Sequence, residues 1–434
     1  MHTPPLTFSN KVAGLGLSST LAINEQSKAL AVANVDVTRL GLGQSPFPVP
    51  PPVIAALKKN AHQKDYLPVA GLPELRGAIA AHLNQTRGMS FSADNILVGP
   101  GSKELLFLLQ LVCESTLMLP TPSWVSYAPQ AQLAGVPVVW VPTSQENGWQ
   151  LQAEALELTC VHNPAQQRLL ILNYPNNPAG TSYTDTDLAK IAAVARKHNI
   201  IIVADEIYWE LSFAEKPGSM VRHYPEGTII STGLSKWCGA GGWRLGAFAI
   251  PDRLAKLRGV MMSVASETFS AVSAPIQYAA IRAFEGGHDI ATYLHHSRRI
   301  MATILEYVAQ ALRAYGVHCI SAQGGFYLLP DFSEFKQALA ANGIYSGKDL
   351  ASRLLHDTGI ACLPGSEFGL PDSDLVLRAA LVDFDGAAAL RACEKEYKDK
   401  ALSEEFLKQY TPKIHSAPLK ITNWLSGVVG RDVG

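Results

Sequence analysis

Lys236 follows Gly233-Leu234-Ser235, and the segment Trp237-Cys238-Gly239-Ala240-Gly241-Gly242-Trp243 separates it from Arg244. A lysine just after an apolar run, with an arginine one short glycine-rich loop later, matches what a phosphorylated aldehyde requires. The carbonyl carbon needs an amine with which to form a Schiff base, and the phosphate needs a fixed cation beside small residues that let backbone amides approach. A lysine in water titrates near roughly 10.4 and is a poor nucleophile at neutral pH, so burial and the neighbouring Arg244 are expected to favour its neutral amine. Arg244 offers a planar fork to phosphate oxygens, and Ser235 adds a hydroxyl. Gly101-Ser102-Lys103 precede the run Leu105 to Leu109. The amides of that helix's first turn are expected to point at the same phosphate, with Ser102 also able to act as an N-cap.

These groups need a scaffold that brings them together. From Ile96 to Ile250, short apolar runs alternate with helix-like segments: Ile96 to Val98, Leu117 to Leu119, Val136 to Val141, Leu169 to Leu172, Ile200 to Ala204, Thr228 to Ser231 and Ala247 to Ile250. This alternation predicts an α/β fold with a mostly parallel seven-stranded sheet covered by helices on both faces. Ligands of such sheets sit beyond the carboxyl ends of the strands. Gly99 to Ser102, Pro120 to Trp124, Asn173 to Gly180, Asp205 to Tyr208 and Gly233 to Lys236 all fall at such ends. After Gly286, the spacing of Tyr293, Ile300, Ile304 and Val308 predicts a long helix leading into a smaller α+β region, with a strand near Gly325 to Leu329. A chain of 434 residues fits one large and one smaller domain. The expected division is a large domain over 51–300 and a small one formed by 1–50 and 301–434. Pro46, Pro48, Pro50, Pro51 and Pro52 are expected to form an extended link. No pattern accounts for the tail from about Lys400, with Phe406, Leu407, Trp424 and Leu425.

The lysine segment resembles the cofactor-lysine motif of class I/II aminotransferases, the pyridoxal-phosphate enzymes of the aspartate aminotransferase fold. Further matches occur in the order that family shows: Leu40 to Gly43, Tyr66 with Gly71 to Arg76, Asn173 to Gly180, Asp205 to Tyr208, and Pro364 to Gly369 followed by Arg378. They span about Leu17 to about Tyr397, and their ordered co-occurrence makes the resemblance specific. It implies pyridoxal 5′-phosphate bound to Lys236, with Asp205 paired to the protonated ring nitrogen so that the ring remains an electron sink. It also implies that Tyr208 and Asn177 bond the ring's phenolic oxygen, that Trp124 stacks on the ring, and that Gly101, Ser102, Lys103, Ser235 and Arg244 surround the phosphate. Arg378, helped by Asn177 and the Gly43 amide, would grip the substrate α-carboxylate through two parallel hydrogen bonds. Tyr66 would reach the phosphate of a neighbouring subunit, which implies a homodimer. The family often has serine or threonine three residues before the lysine, where Gly233 stands here, so one phosphate contact is expected to be missing or replaced.

The implied reaction is a ping-pong transfer of the amino group of an L-amino acid to a 2-oxo acid, with Lys236 moving the α-proton as general base and acid. Lys103 and Trp124 to Tyr127 are similar to a bacterial aspartate aminotransferase subgroup in which that lysine binds the distal carboxylate. Aspartate or glutamate is therefore the favoured donor, with 2-oxoglutarate as acceptor, and Lys103 is a candidate for substrate binding as well as cofactor binding. A β-lyase or decarboxylase would keep the same cofactor residues. A non-enzymatic regulator of this superfamily would be expected to carry a DNA-binding domain ahead of the match, which begins near residue 17. Hydrophobic residues make up 47% and charged ones 17%, and the net charge of -1 offers no field for nucleic acid or an anionic membrane. The six cysteines have no paired spacing, no metal site is indicated, and no run of about 18 apolar residues occurs. Met1 to Asn10 lacks a charged start followed by an apolar run, so a cytoplasmic location is expected.

Overall fold

The computed structural model describes residues 6–33, 36–398 and 400–430. Residues 1–5, on which part of the amino-terminal reading rests, lie outside the described residues. Strands β1 (Thr38–Arg39), β2 (Ile96–Gly99), β3 (Thr116–Pro120), β4 (Val138–Val141), β5 (Arg168–Asn173) and β6 (Ile200–Asp205) come first in the chain. They are followed by β7 (Thr228–Gly233), β8 (Gly246–Ala249), β9 (Tyr327–Leu328), β10 (Ile360–Ala361), β11 (Leu363–Pro364) and β12 (Leu377–Ala380). Seven of them form one sheet in the order β2-β8-β7-β6-β5-β3-β4. The strands from β7 through β4 run parallel, and β8 is antiparallel to both β2 and β7. This is the mostly parallel α/β sheet expected from the apolar runs.

Those runs are continuous because both faces of the sheet are covered. In β5, Leu169 and Ile171 enter one core while Leu170 and Leu172 enter another. In β6, Val203 joins the first and Ile202 and Ala204 the second. Helices supply the cover. Ser102–Val112, for example, buries Leu105, Leu106, Leu108 and Leu109.

The remaining strands form a three-stranded sheet, β11-β12-β9, and the pair β1-β10. In sequence, β8 and β9 are separated by helices that include His288–Ala314, whose 27 residues bury Ile300, Ile304 and Val308, with Tyr293 half-buried beside them. The proline cluster departs from expectation. The chain is extended only as far as Pro50, and Pro51–Asn60 is helical. Proline is tolerated in a first turn, where its missing N–H has no intrahelical partner to lose.

The tail forms two helices, Glu404–Tyr410 and Pro412–Val429. Phe406, Leu407, Ile414, Ala417 and Leu425 join the same core cluster as the long helix. Arg299 fixes the start of the tail by donating to the carbonyls of Tyr397, Lys398 and Lys400 at 2.9, 2.9 and 2.5 Å. Lys413 donates to the Val37 carbonyl at 2.8 Å, and Lys420 pairs with Asp36 at 3.1 Å. The tail is therefore packed against the segment entering β1. All six cysteines are buried and unpaired. Among the described residues, no helix is long and apolar enough to cross a membrane.

Candidate active site

The carboxyl ends of the parallel strands open on a cavity of about 500 Å³. Its walls include Gly43, Ser102, Lys103, Trp124, Asn177, Asp205, Tyr208, Ser235, Lys236 and Arg244, all singled out from sequence. Tyr127, Asn173 and Leu21 also line it. Lys236 lies in the turn after β7, half-buried. Its Nζ donates to the Gly43 carbonyl at 2.7 Å and lies 5.5 Å from the centre of the Tyr208 ring.

Asp205 ends β6 and is buried. Register places it beside Ser231 of β7, whose Oγ donates to Oδ1 at 3.0 Å, while the Tyr127 hydroxyl donates to Oδ2 at 2.6 Å. Burial raises the carboxyl above its ordinary range, and these two hydroxyls oppose that shift. A cationic ring nitrogen beside Asp205 would offset the same desolvation. Neither hydroxyl was singled out from sequence as a partner of Asp205, because cross-strand register and side-chain direction leave no local signature.

The helix Ser102–Val112 starts from Gly101 with no side-chain cap, so Ser102 is its first helical residue rather than its N-cap. Its leading N–H groups therefore face no side-chain oxygen of their own helix. Arg244 adopts a left-handed φ of 55°, a conformation that costs a non-glycine residue about 1–2 kcal/mol. From there it donates to the carbonyls of Gly241 at 3.0 Å and Pro100 at 3.2 Å. A Cβ at Gly101 would collide with the Arg244 guanidinium. At Gly233, a Cβ would lie 2.8 Å from the Leu245 carbonyl oxygen and 2.9 Å from Gly246 Cα. Antiparallel β8 thus crowds out the serine or threonine that the family often places there. Lys103 is half-buried with its Nζ 5.3 Å from the Trp124 ring centre, and burial followed by the Arg244 charge lowers its pKa. No carboxylate among the described residues pairs with it. Trp124 meets Tyr127 edge-on at 5.2 Å.

Three expected residues are placed elsewhere. Gly101 sits behind Arg244, and Tyr66 is 97% exposed. Arg378 is not on the cavity wall. It is fully buried behind the Gly41 to Gly43 segment, where it donates to the Gly41 carbonyl at 2.6 Å. Its guanidinium lies 4.9 Å from the Tyr327 ring centre and 5.2 Å from that of Phe368. Its Nε and Nη1 have no acceptor among the described residues, and burial lowers its pKa. Two buried donors without acceptors are costly unless an anion meets them. Tyr208 and Asn177, both expected to bond the ring oxygen, line the cavity, and the Tyr208 hydroxyl also bonds that of Tyr327 at 2.6 Å. Burial raises the Tyr208 phenol well above its usual range. Asn177 keeps a buried amide oxygen without a partner among the described residues.

A lysine amine, a buried acid held by two hydroxyls, and an uncapped helix start beside an arginine define an α/β enzyme site. Its donor set suits a phosphorylated heteroaromatic aldehyde. The family described as aminotransferase class I and II matches residues 35–385. The chain is 33% identical over 376 residues to an aspartate aminotransferase of Bacillus sp. (strain YM-2), covering 84% of this chain and 93% of that protein. It is 32% identical over 378 residues to an asparagine–oxo-acid transaminase of Streptococcus mutans, covering 84% and 92%. The solved aspartate aminotransferase of Thermus thermophilus with maleate is similar in fold, with a TM-score of 0.80 at 27% identity over 91% of this chain and 99% of that one. The chain belongs to the class I and II aminotransferases and is an enzyme of amino-acid transamination; these relatives do not favour the lyase or decarboxylase alternative.

Proposed function

We propose that the enzyme uses pyridoxal 5′-phosphate to move the amino group of an acidic L-amino acid, aspartate or glutamate, to a 2-oxo acid such as 2-oxoglutarate. The observation that carries the substrate class is Lys103, a half-buried cation on the cavity wall with no carboxylate paired to it among the described residues. The Thermus relative holds maleate, a dicarboxylate, and the Bacillus relative is named for aspartate.

When bound, the cofactor supplies a carbonyl carbon for the amino group and an electron-withdrawing ring. Asp205, held as a carboxylate by Tyr127 and Ser231, would pair with the protonated ring nitrogen. Arg244, Ser235 and the first amides of Ser102–Val112 bind the phosphate, with Gly101 leaving room for the guanidinium. Trp124 would cover the ring, and Tyr208 and Asn177 would bond its oxygen. Lys236 takes the α-proton as general base and returns it as general acid. Arg378 exchanges its bond to the Gly41 carbonyl for the substrate α-carboxylate, assisted by Asn177 and the Gly43 amide. Tyr66, an aromatic with almost no cover in its own chain, serves the neighbouring site of a homodimer. In this reading a large domain over 51–300 and a small one from both chain ends each contribute to the cavity; the presence of Leu21 and Gly43 on its wall beside Asp205 and Lys236 supports it. Six unpaired thiols suit a reducing, cytoplasmic compartment.

The test is to add single amino acids to the cofactor-loaded enzyme without an oxo acid and measure the oxo acid released. Aspartate or glutamate should release one equivalent per site, and Lys236→Ala should release none. Lys103→Ala should raise KM for acidic donors about tenfold while leaving that for alanine unchanged. Weaker cofactor retention with every donor would assign Lys103 to the phosphate instead. Accumulating pyruvate and ammonia would overturn the transaminase reading.

A further inference from the structure

Tyr327 belongs to none of the motifs that identify this family, yet it touches three of the groups assigned above. It lies in β9, pairs in register with Ala380 of β12, and is buried beneath Arg378. Its ring stands edge-on to that of Tyr208, with centres 5.6 Å apart, and the two hydroxyls are 2.6 Å from each other. On its other side the hydroxyl presses against Gly43, where a Cβ would overlap it.

A phenol has one proton to give. Among the described residues, the only hydrogen-bond partner of the Tyr327 hydroxyl is Tyr208. A hydrogen bond donated by Tyr208 to Tyr327 would leave Tyr327's own proton without an acceptor and turn only lone pairs of Tyr208 toward the cavity. The opposite direction satisfies both groups: Tyr327 donates to Tyr208, and the Tyr208 proton is left to point at whatever lies in the cavity. We propose that Tyr327 is a positioning residue that sets the direction of the Tyr208 hydroxyl proton and thereby strengthens its bond to the ring oxygen of the bound cofactor. This rests on the reading of Tyr208 given above. A donor that itself receives a hydrogen bond is polarised and gives a stronger one, the more so away from water.

The prediction is read from the pH titration of the bound cofactor's visible absorbance. A donor to the ring oxygen stabilises that oxygen's negative charge in the form that has lost its proton, so it holds the midpoint down. Tyr208→Phe should therefore raise the midpoint. Tyr327→Phe keeps the ring under Arg378 and removes only the hydroxyl. It should raise the midpoint by about half a pH unit or more and leave KM for the amino acid unchanged. In the Tyr208→Phe background, the same substitution should add nothing. A purely structural loss would move unfolding without this dependence on Tyr208. The proposal is overturned by a Tyr327→Phe midpoint equal to that of the parent enzyme, or by a shift that persists undiminished without the Tyr208 hydroxyl. If Tyr208→Phe itself leaves the midpoint in place, the role assigned to Tyr208 fails and this proposal with it. A response to Tyr208→Phe alone would sink Tyr327 only.

Discussion

Glu210→Gln tests the buried charge cluster that holds the segment carrying Asp205 and Tyr208. Arg87, at the end of helix Pro73–Arg87, is fully buried and donates to Glu206 at 3.0 Å and to Glu210 at 2.9 Å. Its guanidinium carbon lies 3.6 Å from the centre of the Trp209 ring. Glu206 also accepts from Tyr174 at 2.8 Å and Ser219 at 2.5 Å, and Glu210 pairs with His82 at 3.0 Å. Burial acts to raise the Glu210 carboxyl, but Arg87 and His82 outweigh it and bring the group from 4.5 to about 2.

That depression, at about 1.4 kcal/mol per pH unit, corresponds to about 3 kcal/mol of stability. A depressed carboxyl contributes fully above its unfolded pKa, and the contribution is lost as pH falls through the folded one. Glutamine keeps the shape and removes the charge at every pH. Glu210→Gln should therefore be less stable than the parent by about 3 kcal/mol at pH 7.5, with the gap shrinking to about half by pH 3. Urea unfolding of the cofactor-loaded enzyme at both pH values measures this. A gap below about 1 kcal/mol at pH 7.5, or one that is unchanged at pH 3, would refute the reasoning.

Three other substitutions separate roles that the structure places close together. Arg378→Ala should raise KM for donor and acceptor acids roughly tenfold or more while the cofactor stays bound; an unchanged KM would remove Arg378 from substrate binding. Tyr127→Phe deletes the shorter of the two bonds to Asp205 and should weaken cofactor retention about tenfold, the scale of one buried bond to a charged group; equal retention on dialysis would show that Ser231 suffices. Phe406→Ala, in the core of the tail, should cost about 3–5 kcal/mol in urea unfolding without altering KM. A changed KM there would mean that the tail acts on the site through the segment entering β1.

The large sheet is legible in the sequence because its strands are covered on both faces, so successive residues such as Leu169 to Leu172 are all apolar. The small sheets are not. Strands β1, β9, β10 and β11 have two residues each, too few for any period to show. The proline cluster misleads because the same residue that suits an extended link also suits a helix's first turn. At the site, motif residues lie at strand ends by a general property of α/β sheets, which is why Ser102, Trp124, Asn177, Asp205, Tyr208, Ser235 and Lys236 meet in one cavity. Their partners are hidden because contact, not sequence spacing, selects them. Ser231 meets Asp205 by register, and Tyr327 meets Tyr208 across 119 positions. The tail's helices could be read as unassigned apolar residues, but the surface they cover could not.

Asp205 and Glu206 are adjacent in sequence, yet the fold sets them opposite tasks. Asp205 turns to two neutral hydroxyls and is raised by burial, so its charge is only partly compensated by the protein itself. Glu206 turns to Arg87, Tyr174 and Ser219 and is saturated. A site that keeps an undercompensated acid, a lysine without a carboxylate and an arginine with unpaired donors stores binding free energy for charged ligands at the expense of its own stability. That arrangement holds only if the neighbouring backbone cannot relax to satisfy those groups. The locked charges of Arg87, Glu206 and Glu210, one residue from Asp205 on one side and two from Tyr208 on the other, supply that resistance. Loosening them by Glu210→Gln should therefore weaken cofactor retention along with stability, although none of the three touches the cavity.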